Sequence, residues 1–426
     1  MKLGIAAFGS WLLALGFFVI SCEDAYSQSF DDFFEDNTLR VDYIFGGDSA
    51  KQYIQMTQLY KQPHWAGRRA RLSEQFLQGN GQIRMTDHAT GQLLYVHTFS
   101  TLFQEWILEE EATHMMRGFE ATYLLPYPKR PVDVCVTLTD NHHRVTTSMS
   151  HLVDPNDILI RSLSGLSGSS GSSGSRYLVQ SGDIKDCVDL ALVAEGYTAE
   201  EQDKFWTDAQ RAVDALFSHE PFATLKSRFN VVAVPTISEQ SGPSEPGKGI
   251  WHDTTFGSHY DTFYTERYLT TSCVHRLYDV LSSVPVEHVI ILVNTLRYGG
   301  GGIYNQWMTC STDHPTFKQV LVHEFGHSYA GLADEYDYGD SHTEWYPRDT
   351  EPWEPNITTM KDFSLKWQDM IDAKVPGVGL FEGAGYQKKD TFRPVDECRM
   401  KVNQVENFCP VCTRAIERIT DFYTAK

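Results

Sequence analysis

Residues 315–336, PTFKQVLVHEFGHSYAGLADEY, decide how this chain is read. Pro315 suits the first turn of a helix, where its missing amide hydrogen costs nothing, and the run predicts a helix from about Pro315 to Ala330. His323 and His327 lie four residues apart, just over one turn, so both imidazoles leave the same face ~6 Å apart along the axis. Two imidazoles so placed can bind one Zn²⁺, and Glu324 beside them can take the proton of a water that such a metal activates. Gly331 can adopt the left-handed conformation that ends a helix and turns the chain back. The turned chain brings Asp334 or Glu335 toward the imidazoles, completing the three protein ligands usual for catalytic zinc.

His323-Glu324-Phe325-Gly326-His327 is the HExxH arrangement of zinc metallopeptidases. With 16 His in the chain, chance supplies only about 0.04 such strings. Working outward, the segment resembles the metzincin pattern HExxHxxGxxH/D, with the glycine one position later. Keeping the Gly-x-x-ligand spacing selects Asp334, with Glu335 and a distant glutamate as alternatives. Met400, in Glu397-Cys398-Arg399-Met400, lies where a metzincin places the methionine turn that floors its zinc. HEFGHSYAGLADEY, EGAGY at 382–386, the FRP…CRM…FCPVC block and the upstream RYGGGGIYNQ together closely resemble the IgA-peptidase family of secreted bacterial zinc metallopeptidases. The resemblance covers most of 180–420 and includes the β-rich domain that often precedes the catalytic one. It implies a zinc-dependent endopeptidase with a metzincin-like fold and a protein or peptide substrate. His323, His327 and Asp334 would be its metal ligands and Glu324 its catalytic base. It does not assign immunoglobulin A as the substrate.

The chain has 426 residues, long enough for two or three domains. Residues 161–175, RSLSGLSGSSGSSGS, cannot bury enough apolar area to order themselves and read as a linker over 161–176. Before it, over 28–160, the runs LRVDYIF, QIRMTD, QLLYVHTF, GFEATYLLPYP, DVCVTLTD and RVTTSMS alternate with turn signals such as Gly46-Gly47-Asp48 and Gly79-Asn80-Gly81. That spacing predicts an antiparallel β-sandwich. After it, over 177–426, CVDLALVAEGYT, FNVVAVPTIS and HVIILVNTLRYGG read as strands. Thr198 and Glu201 form a capping box opening a helix through Phe217. The expected architecture is multidomain: an N-terminal antiparallel β-sandwich and a C-terminal α/β metzincin-like zinc peptidase domain.

Residues 1–27 read as an export signal, with Lys2 before an apolar run from Leu3 to Ile20. Val19-Ile20-Ser21-Cys22 resembles a lipobox, which predicts cleavage before an acylated Cys22; ordinary cleavage near Ser27 is the alternative. The chain is therefore expected to be exported, as a cell-surface lipoprotein, periplasmic or secreted, with membrane attachment only through a lipidated Cys22. In an oxidising compartment the other seven cysteines are expected to form disulfides, with at least one thiol left free or paired elsewhere because seven is odd. Cys409-Pro-Val-Cys412 with Cys398 reads as a structural bridge in preference to half a zinc knuckle or a redox motif. A net charge of −20 opposes binding to nucleic acid, which needs clustered cations.

Softer expectations surround the site. Arg297-Tyr298-Gly299-Gly300-Gly301-Gly302 is an edge where a substrate backbone can approach, or a turn. Tyr386 is a candidate donor to the oxyanion of the tetrahedral intermediate. The acidic run Asp334–Asp340 lacks EF-hand spacing and reads as a solvated loop. In the N-terminal half no cluster carries chemistry, and His88, His97, His142 and His143 read as surface or strand residues. The competing class is a surface-exposed binding or adhesin-like lipoprotein with a structural or vestigial zinc site, against which the intact Glu324 argues.

Overall fold

A computed structural model describes residues 29–163, 174–339 and 343–425. The expected signal segment and most of the Ser/Gly linker lie outside these residues. The N-terminal half folds as eight strands: β1 Phe34–Gly47, β2 Gln52–Pro63, β3 Gly81–Asp87, β4 Leu93–Phe99, β5 Arg117–Pro128, β6 Val132–Thr139, β7 Val145–Val153 and β8 Arg161–Ser162. They form two four-stranded sheets, ordered β5-β1-β2-β8 and β4-β3-β6-β7. One apolar core is shared by inward residues of both, among them Val41, Tyr43, Phe45, Ile83, Met85, Tyr123, Val134 and Val136. Along β6 burial alternates residue by residue, the period-two pattern of a sheet with one covered face. Each of the six expected runs forms a strand. β2 was not foreseen, because only Ile54, Leu59 and Gln62 of QYIQMTQLYKQP are buried, too few to make an apolar stripe. β8 pairs with β2 in parallel through Tyr60 and Lys61. The first two residues of the expected linker are therefore strand.

The C-terminal half is built on a six-stranded sheet with order β13-β14-β12-β10-β11-β9. Its strands are β9 Arg176–Gln180, β10 Val188–Glu195, β11 Phe229–Val234, β12 His288–Val293, β13 Gly300–Gly302 and β14 Trp307–Ser311. The inner pairings are parallel, and the two edge strands run antiparallel. Leu190, Leu192, Ile290 and Leu292 pack on one face, Ala191, Val193, Ile291 and Val293 on the other. Burial on both faces is why these strands read as unbroken apolar runs. Helix α1, Gln202–Leu216, follows β10, and Glu201 Oε2 accepts the Thr198 amide at 2.9 Å as the capping box requires. Helix α2 spans Val274–Val280, α3 Phe317–Ala330 and α4 Pro410–Tyr423. A hairpin of β15, Phe381–Ala384, and β16, Gln387–Arg393, completes the set. Among the described residues no helix is long and apolar enough to cross a membrane.

The expected disulfides do not form among the described cysteines: all seven are free thiols. Cys398 and Cys412 Sγ stand 3.8 Å apart, well beyond the ~2.05 Å of a sulfur–sulfur bond.

The two halves are joined by buried polar contacts. Arg40 on β1 is fully buried and makes a two-pronged pair with Asp42 at 2.8 and 2.7 Å. It also reaches Asp279 and the His275 carbonyl of α2 at 2.7 and 2.9 Å. The Arg68 guanidinium lies between the rings of Tyr95 and Phe422 of α4, 4.5 and 4.7 Å from their centroids. The Ser100 amide donates to Tyr304 O at 3.0 Å, and Asn305 donates to Thr98 O at 2.8 Å. Asp42→Ala should therefore remove the buried partner of the Arg40 guanidinium, leaving it Asp279 and the His275 carbonyl, and cost up to about 3 kcal/mol, read as a lower denaturant midpoint; an unchanged midpoint would show that Arg40 does not depend on this partner.

Candidate active site

Helix α3 packs on the sheet through residues including Val320, Leu321, Phe325 and Tyr329, and turns His323, Glu324 and His327 to a cleft. Gly326, mid-helix, gives up about 1 kcal/mol of helix propensity against alanine. Its reason is contact, since a Cβ there would stand 2.9 Å from Met400 Sδ. The fully buried Met400 thus lies against the helix between the two histidines. Gly331 ends the helix at φ 60°, ψ 31° and returns the chain beneath it. That turn lets Leu332 O receive the Nδ1 proton of His327 at 2.5 Å. His323 Nδ1 donates to Arg399 O at 3.0 Å.

With both Nδ1 atoms bound to carbonyls, a neutral imidazole at each position presents its Nε2 lone pair to the cleft. The two Nε2 atoms are 3.0 Å apart, and Asp334 Oδ1 lies 3.0 Å from the first and 3.3 Å from the second. Asp334 Oδ1 is buried and makes no angle-competent hydrogen bond despite this proximity. Three electron-pair donors aimed at one point, two of them fixed by carbonyls behind, fit a divalent cation with nitrogen and oxygen ligands. Asp334 and Glu335, alternatives in the sequence, point opposite ways. Glu335 is fully buried on the far side, its Oε1 3.2 Å from Cys412 Sγ.

The buried carboxylates and imidazoles shift one another. Burial pulls the His327 pKa down, but the Asp334 carboxylate outweighs it and lifts the imidazole to about 9. Burial raises Asp334, yet His327 and His323 hold it well below the carboxylate range. Burial raises Glu324, and the two imidazoles oppose that rise.

Tyr386, expected to face an oxyanion, has another partner: its hydroxyl donates to Asp334 Oδ2 at 2.6 Å, leaving Oδ1 for the cleft. The glycine run Gly300–Gly302 forms the edge strand β13, one of its two expected readings. Gly300 O of β13 accepts the Leu269 amide at 3.4 Å, so the outer side of this edge is partly covered. The glycines are needed because the helix is close. A Cβ at Gly300 would meet Glu324 Oε1 at 2.8 Å, and one at Gly302 would meet Glu324 O at 2.5 Å.

The cleft has a volume of about 800 Å³ and is lined from both halves of the chain. Glu105, Asn141 and His143 of the N-terminal half face it together with Arg267, Tyr268 and Trp345 of the other. Sequence reasoning missed this wall, since no spacing links residues so remote from the helix. Glu105 Oε2 accepts the Tyr268 hydroxyl at 2.5 Å, and burial raises its carboxyl to about 7 against that bond.

The family of IgA Peptidase M64 matches residues 177–377 and 372–420, and its peptidase M64 N-terminus matches 29–150. No curated relative matches the sequence. The chain belongs to the M64 IgA peptidase family and is a peptidase, with side-chain groups able to hold a metal.

Gly302→Ala should push β13 off the helix backbone at Glu324 and cost about 1–3 kcal/mol of stability, measured by thermal melting; an unshifted melt would show that this contact relaxes freely.

Proposed function

We propose that this M64 peptidase is a zinc-dependent endopeptidase that hydrolyses peptide bonds of extracellular proteins, with Glu324 as its general base. The observation that carries the reading is the convergence of His323 Nε2, His327 Nε2 and Asp334 Oδ1 within 3.0–3.3 Å, beside Glu324 on one cleft. The donor set, two imidazoles and one carboxylate, suits zinc, and a third-ligand turn straight after the helix supports a metzincin-like catalytic domain. The extracellular setting rests on the leader-like Leu3–Ile20 stretch.

Zinc at that point supplies Lewis acidity, polarising a peptide carbonyl and bringing the pKa of water to about neutral. The chain does the rest. Leu332 O and Arg399 O keep both imidazoles in the tautomer whose Nε2 is unprotonated. Tyr386 holds Asp334 through Oδ2, so that Oδ1 alone is presented. Glu324 takes a proton from the attacking water onto its carboxylate and passes it to the departing amine nitrogen. The N-terminal wall restricts which backbones reach the site and excludes solvent from one side of it.

Glu324→Ala should keep its metal and lose about 10²–10⁴-fold in casein hydrolysis, whereas His323→Ala should hold one metal equivalent fewer than the parent. Full hydrolysis by Glu324→Ala would remove the proposed base. Tyr386→Phe should weaken metal affinity by about 10–100-fold, measured by competition with a chelating dye; unchanged affinity would show that the hydroxyl does not orient Asp334.

A further inference from the structure

Directly behind this site, three thiols and a carboxylate converge. Cys398 precedes Met400, Cys409 is the N-cap of α4, Cys412 lies in its first turn, and Glu335 follows Asp334. All four are buried, and one ligand atom from each lies within 4.8 Å of the others. The Cys398–Cys412 sulfur distance of 3.8 Å matches the ~3.8 Å edge of a tetrahedron with ~2.3 Å metal–sulfur bonds. The Cys409 amide donates to Cys398 Sγ at 3.3 Å, and the Cys412 amide donates to Cys409 Sγ at 3.4 Å. Such N–H donors stabilise thiolates, as does the positive end of α4. Asn356 Nδ2 donates to Glu335 Oε1 at 2.9 Å and is itself clamped to the Ala333 backbone at both ends of its amide. Glu335 Oε2 is buried with no hydrogen-bond partner. An unpartnered carboxylate oxygen in a dry pocket is costly unless something compensates it. A disulfide would use two of the sulfurs and leave that carboxylate beside a buried thiol. A cation engages all four groups.

We infer that Cys398, Cys409, Cys412 and Glu335 form a second, closed site for a thiophilic divalent metal, zinc by its chemistry, whose role is structural. Four protein ligands leave no open position for water or substrate. The ion ties together the loop after α3, the segment carrying Met400 and the start of α4. Those segments supply Asp334 and the Arg399 carbonyl to the catalytic face, so the second ion braces the first site from behind. The inference concerns different ligands and stands apart from the reaction assigned to the histidine pair.

The test uses the full chain with His323→Ala and His327→Ala combined, which removes the first site and leaves the cysteines intact. Metal analysis should find one zinc equivalent in this variant against two in the parent. Loaded with Co²⁺, the variant should show thiolate-to-cobalt charge-transfer absorption in the near ultraviolet, and adding Cys398→Ser with Cys412→Ser should abolish the band. Should the quadruple variant fail to fold, the spectrum of the double variant decides alone. A double variant without metal, a bound metal without the thiolate band, or a disulfide among these cysteines in peptide maps of the parent would overturn the inference.

Discussion

Two backbone carbonyls, those of Leu332 and Arg399, hold the site together. Each takes the Nδ1 proton of one histidine and so commits the opposite nitrogen to the cleft. The carbonyls come from different segments, one from the turn that ends α3 and one from the stretch leading into Met400. Both segments must therefore be in place before the imidazoles are. Gly331 in the left-handed region and Gly326 against Met400 are the sequence's concessions to that requirement, because a side chain at either would meet neighbouring atoms at 2.8–2.9 Å.

The peptide that carries Asp334 and Glu335 serves two sides of the molecule. Asp334 looks to the histidines and to the Tyr386 hydroxyl, Glu335 to the cysteines and Asn356. Two adjacent acids with separate partners explain why sequence spacing left the third ligand open. They also place the cleft and the cluster behind it one peptide unit apart. On the opposite side the cleft is closed by the N-terminal half, held there by Arg40, Arg68 and the Ser100–Tyr304 hydrogen bond.

Much of this was legible beforehand. Strands buried on both faces, such as Val188–Glu195 and His288–Val293, announce themselves as unbroken apolar runs, and His323 with His327 reads directly as one helix face. Other parts were not. β2 buries only three residues and lacks an apolar stripe. Helix α4 does carry buried positions at helical spacing, Cys412, Ala415, Ile416 and Ile419, but its cysteines drew attention to bridging instead. Tyr386 was placed near the chemistry, but its hydrogen bond to Asp334 was not foreseen, because a hydroxyl's acceptor depends on a turn that spacing does not describe. The fourth member of the cysteine cluster is a glutamate remote in sequence, which no CxxC rule would join to it. The N-terminal wall of the cleft arises purely from packing between distant segments.

One divalent cation is expected where His323, His327 and Asp334 meet. The most direct measurement is anomalous diffraction at the zinc edge from crystals of the protein as purified. The expected peak is bonded to both Nε2 atoms and to Asp334 Oδ1, with both Nδ1 atoms still on their carbonyls. A structure with the histidine rings flipped away from each other, or with no peak at these three ligands, would rule it out.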